Sequence, residues 1–327
     1  MKDENDVLVW IDLEMDGLDL TKNFILEIAC ILTNFDLTKI REGPDLVIHH
    51  RKGLLDAMGP WCMEHHTKSG LVRQVLDSKL SMADAQAQII DFIRGVTGSS
   101  ARLILAGNSV YIDRYFLEKD MPKLSTMLDR SILDCSTLKE LIRRFNPLIY
   151  QRAPVKSGNL HRALDDIRNS IEEFRYYKDH AFEEKKSVPL EEFLREKDLS
   201  QYLVWIEIHS MKIHCILTDG NLNIVDEIVD GKNDENLLGF FRRNGIHRSR
   251  TVVVAGTFLG SIRAQLNELA SRFNEFCHYR SIDVDVVSIV CEKFFPSIYQ
   301  QRPISEEVND VKHSIELLRF YRSTIFK

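Results

Sequence analysis

The sequence predicts an α/β protein of two similar domains, each a mixed five-stranded sheet flanked by helices. Three observations carry that expectation. The chain has 327 residues, twice the ~150 of an ordinary domain, and its 44% hydrophobic content is ample for two cores. Three closely spaced apolar runs near the start precede an alternation of helix and strand. Finally, the chain repeats itself. LVWIDLE at Leu8 to Glu14 returns as LVWIEIH at Leu203 to His209, and LILAGNSVYIDRYFL at Leu103 to Leu117 aligns without gaps with VVVAGTFLGSIRAQL at Val252 to Leu266. RSILDCSTLKELIRRFNPLIYQR and DDIRNSIEEFRYY likewise reappear as RSIDVDVVSIVCEKFFPSIYQQR and NDVKHSIELLRFY. Four matches in one order indicate two copies of one plan.

In the first copy, runs rich in Val, Ile and Leu at 7–14, 24–33 and 44–49 read as strands, the first two joined by a DGLDLTKN turn. Their short connections predict antiparallel neighbours. Residues 80–95 have helical spacing, LILA at 103–106 is a buried-type strand, and a helix follows around 112–119. A short strand at 131–134, a helix at 136–145 and a last helix at 162–178 complete the copy. The second copy is shorter, mainly because it lacks the loop between its third strand and first helix. Between the copies, AFEEKKSVPLEEFLREKDLSQ is dense in Glu and Lys and reads as a solvated linker. The expected domains are 1–180, a linker at 181–200, and 201–327.

Composition narrows the function. With 43 basic and 49 acidic residues the net charge is −6, which lacks the basic footprint of a protein that tracks many phosphates. A nucleic-acid partner is therefore short, or held through metal. Six cysteines without CxxC pairs point to neither a zinc site nor a disulfide framework. No apolar run reaches ~18 residues and MKDEND leads straight into a strand, so a soluble intracellular protein with no membrane partner is expected. The cytoplasm fits best, with mitochondrion and nucleus left open.

Residues two apart on a strand face the same way, so Asp12 and Glu14 project together among Val9, Trp10, Ile11 and Leu13. Side-by-side carboxylates on a covered strand repel one another unless a cation joins them. Two readings stand: a metal site, or a strand end with solvated acids. Further acids follow at Asp113, after GNS, and at Asp165 and Asp166 opening the last helix, five residues beyond His161. Individually, Asp113 and Asp165 are ordinary first-turn acids, and His161 a surface or capping histidine. Their order gives them weight: D-x-E, an acid after a glycine turn, then H-x4-D.

WIDLEMDGLD, EGP, HTKSGL, GNSVYIDRYFL, LDCSTLKEL and HRALDDIR together resemble, in order, the blocks of the oligoribonucleases, a family of DEDDh 3′-to-5′ exonucleases, across residues 7–178. The resemblance implies a ribonuclease H-like fold and an enzyme degrading very short RNA to nucleoside 5′-monophosphates. It implies that Asp12, Glu14, Asp113 and Asp166 hold two Mg²⁺ or Mn²⁺ ions and that His161 is the general base, H-x4-D selecting Asp166 over Asp165. Four such carboxylates suit a two-metal site, and an imidazole can take a proton near neutral pH. Leu18 and Trp61 resemble the residues that wedge and stack the bases, although Trp61 alone reads as a loop aromatic packed on its domain. His66, Ser109, Ser136 and Thr137 resemble residues near the scissile and 5′-terminal phosphates, while the hydroxyls of Ser136 and Thr137 equally suit a helix N-cap. An exonuclease for longer RNA or single-stranded DNA, and a non-catalytic nucleotide-binding scaffold, are the alternatives.

The second copy carries Glu207, His209, Ile262 and Ser305 where the first has Asp12, Glu14, Asp113 and His161; only Asp310 matches Asp166. It is expected to be inactive, with Glu207, His209 and Asp310 a remote alternative metal set. Yet it alone keeps, as Tyr279 and Arg280, a Tyr-Arg pair that the family carries before the fifth strand; the first copy has Arg130 and Ser131 there. The family forms symmetric homodimers in which this region lies near the neighbouring active site. The resemblance therefore implies an intrachain pseudo-dimer, monomeric in solution, in which Tyr279 and Arg280 complete one working site. The other reading makes the pair survivors on a structural surface.

Overall fold

The computed structural model describes residues 5–155, 161–184, 202–305 and 310–326. The chain divides into two compact units. One comprises Met1–Cys135 and Ala153–Tyr176, the other Ser136–Arg152 and Tyr177–Lys327. Most of the linker expected at 181–200 lies outside the described residues.

The first unit contains β1 (Asp6–Met15), β2 (Ile25–Asn34), β3 (Ile40–Val47), α1 (Lys52–Leu55), α2 (Pro60–Lys68), α3 (Leu71–Asp77), α4 (Met82–Val96), β4 (Arg102–Gly107), α5 (Tyr111–Asp120), α6 (Pro122–Ser125) and β5 (Ile132–Asp134). Next come α7 (Cys135–Phe145) and α8 (Pro147–Gln151), which group with the second unit, and then α9 (Ala163–His180), most of which returns to the first. The sheet runs β3-β2-β1-β4-β5. β1 pairs antiparallel with β2 and parallel with β4, so it is central. All ten residues of β2 are buried, which explains its nearly unbroken apolar sequence. One face of the sheet packs against α4, α5 and α6 through Val9, Ile28, Ile89, Ile93, Phe116 and Leu117.

Two expectations need correction. The third strand runs 40–47 where 44–49 was expected. Its register with β2 extends from Thr33↔Ile40 to Glu27↔Val47, so pairing begins earlier than the apolar run. The segment after β3 is no loop but three helices, α1 to α3. They are too short for a helical period to emerge, and Leu55, Met58, Leu71 and Val75 gather them around Leu26 in a separate apolar cluster.

The second unit adds β6 (Leu203–His209), β7 (Lys212–Thr218), β8 (Ile224–Gly231), α10 (Asp234–Arg243), β9 (Val253–Gly256), α11 (Leu259–Leu269), α12 (Ser271–Phe276), β10 (Ser281–Asp283), α13 (Val284–Phe294), α14 (Pro296–Gln300) and α15 (Val311–Thr324). Its sheet order, β10-β9-β6-β7-β8, is that of the first sheet read from the other end, with the same strand directions. Details recur too. Trp10 Nε1 donates to Thr33 Oγ1 at 2.8 Å, and Trp205 Nε1 to Thr218 Oγ1 at 2.9 Å. Ser109 and Phe258, aligned in the turn after β4 and β9, both adopt positive φ, 54° and 51°. Only two residues separate β8 from α10, so nothing replaces α1 to α3. Among the described residues, no helix is long and apolar enough to cross a membrane.

Candidate active site

The site is built on the last third of β1. Asp12 and Glu14 project from one face, and α9 brings Asp166 to them; ligand oxygens of the three all lie within 4.8 Å of one another. Asp165, the rival acid, faces Arg168 instead and accepts its Nη1 at 3.1 Å. Helical geometry separates adjacent residues by ~100°, which is how the fold distinguishes two neighbouring aspartates. Asp113, from α5, is buried close by, its Oδ1 accepting the Leu13 N–H at 3.0 Å, between the two β1 acids in sequence. It is not one of the three converging groups.

This crowding has an electrostatic consequence. Burial, then the charges of Glu27, Asp166 and Asp113, push the Glu14 carboxyl up to about 8. Burial pushes Asp113 up to about 8 as well, against the Leu13 hydrogen bond. Three converging, all-oxygen donors with mutual repulsion fit a hard divalent cation, which would displace the protons and balance the charge.

His161 precedes α9 with a φ of 64°, in the left-handed region that side-chain-bearing residues seldom occupy. Its N–H donates to Asp166 Oδ2 at 3.1 Å. Its ring meets Trp61 and His65 edge-on, at 5.4 and 5.1 Å between centroids. Trp61 and His65 are stacked at 4.0 Å, and His65 Nδ1 is 2.7 Å from the Trp61 carbonyl oxygen. Trp61 is 57% exposed and Leu18 66%, so both offer apolar surface to solvent. Trp61 therefore does not pack away on its domain.

His66 lies buried behind Glu14. It is 2% exposed, its Nε2 donates to the Met15 carbonyl at 2.9 Å, and its Nδ1 lies 3.9 Å from Glu14 Oε2 with no hydrogen-bond partner among the described residues. Burial lowers its basicity, which keeps a lone pair on Nδ1. Ser109 lies in the β4–α5 turn, its N–H held by Asp134 Oδ1 at 2.8 Å.

Ser136 and Thr137 belong to the second unit and are buried. The Thr137 hydroxyl donates to the Ser281 carbonyl at 3.2 Å and accepts the Asp283 N–H at 3.1 Å. It has become a backbone partner of β10, with no surface left for a phosphate. Arg280 binds Glu140 Oε1 at 3.0 Å and lies over the Tyr279 ring, which is 52% exposed. Asp310 caps α15 through the Lys312 N–H at 2.8 Å. Glu207 has His209 as a partner and His214 Nδ1 at 3.5 Å, so the polar group around Glu207 is His209 and His214, and not the remote alternative set with Asp310.

Sequence reasoning missed Glu27 and Arg162. Glu27 is fully buried, lies opposite Glu14 in the β1–β2 register, and is bound by Arg162 Nη2 at 2.7 Å. A signal existed, since Glu27 is the one charged residue of the otherwise apolar ILEIACILTN.

Comparison with known proteins agrees with this geometry. Residues 9–174 match the exonuclease (RNase_T) family. An oligoribonuclease of Arabidopsis thaliana is 48% identical over 179 residues, covering 55% of this chain and 80% of the relative. The chain belongs to the oligoribonuclease family of 3′-to-5′ exoribonucleases. The mitochondrial oligoribonuclease of Homo sapiens is 44% identical over 197 residues, 59% of this chain and 82% of its own. An oligoribonuclease of Mycobacterium sp. (strain KMS) is 46% identical over 182 residues, with shares of 56% and 83%. Among solved structures, the nuclease domain of 3′hExo bound to rAMP aligns with a TM-score of 0.40 at 13% identity, covering 55% of this chain and 96% of that one.

Proposed function

We propose that this oligoribonuclease-family enzyme degrades very short RNA, dinucleotides above all, from the 3′ end, releasing nucleoside 5′-monophosphates. The observation that carries the reading is the meeting of Asp12, Glu14 and Asp166 within 4.8 Å, on a unit that also exposes Leu18 and Trp61. Asp12, Glu14 and Asp166, with Asp113 behind them, are the residues to hold two Mg²⁺ or Mn²⁺ ions. Such ions polarise a phosphodiester and stabilise both the entering and leaving oxygens. His161 accepts the proton of the attacking water, and Leu18 and Trp61 hold the bases by wedge and stacking, the latter worth ~1–3 kcal/mol per base. Ser109 remains a candidate phosphate contact.

A labelled 5′-phosphorylated dinucleotide compared with a long single strand of RNA or DNA tests the substrate class. Preference for the dinucleotide, lost with EDTA and with Asp12→Ala, is expected; comparable turnover of the long strand moves the assignment to a general exonuclease. The second unit we read as an inactive copy within one monomeric chain, and light scattering that returned a dimer would overturn that. Tyr279 and Arg280 are assigned to the same reaction by the complementary loss between the copies. Tyr279→Phe is expected to raise KM for the dinucleotide about tenfold, and Arg280→Ala to slow its turnover; both unchanged would leave the pair a structural role alone.

A further inference from the structure

Glu27 stands where a carboxylate looks harmful. It is fully buried on β2, directly across from Glu14, and its charge helps push the Glu14 carboxyl up. A buried charge in such a place persists only when it is paired and hydrogen-bonded. The carboxyl of Asp45 on β3 hydrogen-bonds to Glu27, and its remaining partners come from the start of α9. The Arg162 guanidinium grips it with Nη2 at 2.7 Å and Nε at 3.0 Å from Oε1, and Nε at 3.2 Å from Oε2. The Ala163 N–H reaches Oε2 at 3.3 Å.

These contacts hold the two residues that follow His161. At His161 the chain takes positive φ, a conformation that persists in a side-chain-bearing residue only when its surroundings enforce it. On one side His161 is tied to Asp166 by its own N–H, and on the other by a chain pinned at Arg162 and Ala163. Asp166 shares the anchor, because its N–H donates to the Arg162 carbonyl at 3.0 Å in the first turn of α9. The second unit offers a contrast. In its β6–β7 register the residue opposite His209 is Lys212, which pairs with Asp230, so the glutamate is absent where the acids are also lost.

We propose that Glu27 is a positioning residue of the exonuclease: through Arg162 and the Ala163 N–H it locks the start of α9, and so places His161 and Asp166 against the acids of β1. This rests on the reading of His161 and Asp166 given above. Glu27 is held by Arg162, Ala163 and Asp45 and is not among the acids that converge at the site.

The test compares Glu27→Gln, Arg162→Gln, their double variant and Arg162→Lys in the full-length chain, reading kcat and KM on a 5′-phosphorylated dinucleotide and Mn²⁺ binding by calorimetry. Each Gln variant is expected to lower kcat about 10–100-fold while KM stays within about threefold, as for residues that orient others. The double variant should be no slower than the slower single one, because both remove one contact. Arg162→Lys, which keeps the charge, should recover part of kcat. Mn²⁺ affinity should weaken alike in Glu27→Gln and Arg162→Gln, since both displace Asp166 while Asp12 and Glu14 remain. Loss of Mn²⁺ binding in Glu27→Gln with affinity unchanged in Arg162→Gln would make Glu27 a ligand and overturn the proposal, as would a kcat within twofold of the parent for both single variants. Should Glu27→Gln fail to fold, the Arg162→Lys and Arg162→Gln pair decides by the same kcat criterion. His161→Ala and Asp166→Ala serve as controls. If they too leave kcat unchanged, the assignment of the site falls; if they abolish turnover while Glu27→Gln does not, the anchor alone falls.

Discussion

Glu14 shows how a residue's neighbours set its chemistry. Its carboxyl, like that of Asp113, sits near 8 where ordinary values are 4.5 and 3.8. In the metal-free protein the folded state therefore holds protons that the unfolded chain has released, so stability falls as pH rises from the ordinary carboxylate range through about 8. Thermal melts in EDTA should show this decline, and saturating Mn²⁺ should raise Tm most at the alkaline end, where the ion meets no competing protons. A metal-free melt that became more stable toward pH 8 would contradict the burial of these acids. Thr137 offers a second test at this scale. Thr137→Val leaves the buried Asp283 N–H without its acceptor and should cost ~1–3 kcal/mol in urea melts, with KM for a dinucleotide unchanged. A raised KM at unaltered stability would return Thr137 to the substrate.

α7 is the element whose place was least expected. It belongs by sequence to the first copy, yet it packs within the second unit. Glu140 on this helix is 2% exposed and bound by three arginines, with Arg144 at 2.5 Å, Arg280 at 3.0 Å and Arg143 at 3.1 Å. Burial alone would raise its carboxyl, but Arg144 and Arg143 hold it down to about 2. Glu140→Ala strands two largely buried guanidinia and should cost ~3–5 kcal/mol. Since the folded value lies below the ordinary 4.5, the contribution is fully present above that pH and is lost as pH falls toward 2. The Tm gap between parent and variant should shrink over that acid window. A gap independent of pH would assign the loss to packing.

For the whole molecule, the grouping of α7 and α8 with the second unit means that the two similar stretches of sequence are not the units seen in space. Phe145 packs its ring 5.2 Å from Phe326 and beneath Arg322, and Thr137 and Glu140 bind β10 and Arg280, so the end of the first copy is tied into the second unit. A protease site introduced between 185 and 201, once cut, should leave both fragments eluting together in size-exclusion chromatography. Separate elution would mean that these contacts contribute little. Charge belongs at this scale too. A net −6 suits the proposed hold on a short end better than a protein that follows a long phosphate track.

Periodicity in sequence reveals whatever depends on local pattern. The strands β1, β2, β4 and β5, the long helices α4, α5, α7 and α9, the pairing of Asp12 with Glu14 on one strand face and a second five-stranded sheet were legible for that reason. The order of the acids likewise led to the family. What depends on contacts between distant segments was not legible. Helices α1 to α3 are held by a small shared cluster and too short to show a period, and His66 faces inward because α2 packs beneath Met15 and Glu14. The Thr137 hydroxyl is claimed by a strand 144 positions away, and Arg162 meets Glu27 across 135. Local sequence sets which faces a residue can present; only tertiary packing decides which of those faces meets solvent, a backbone amide or an opposite charge.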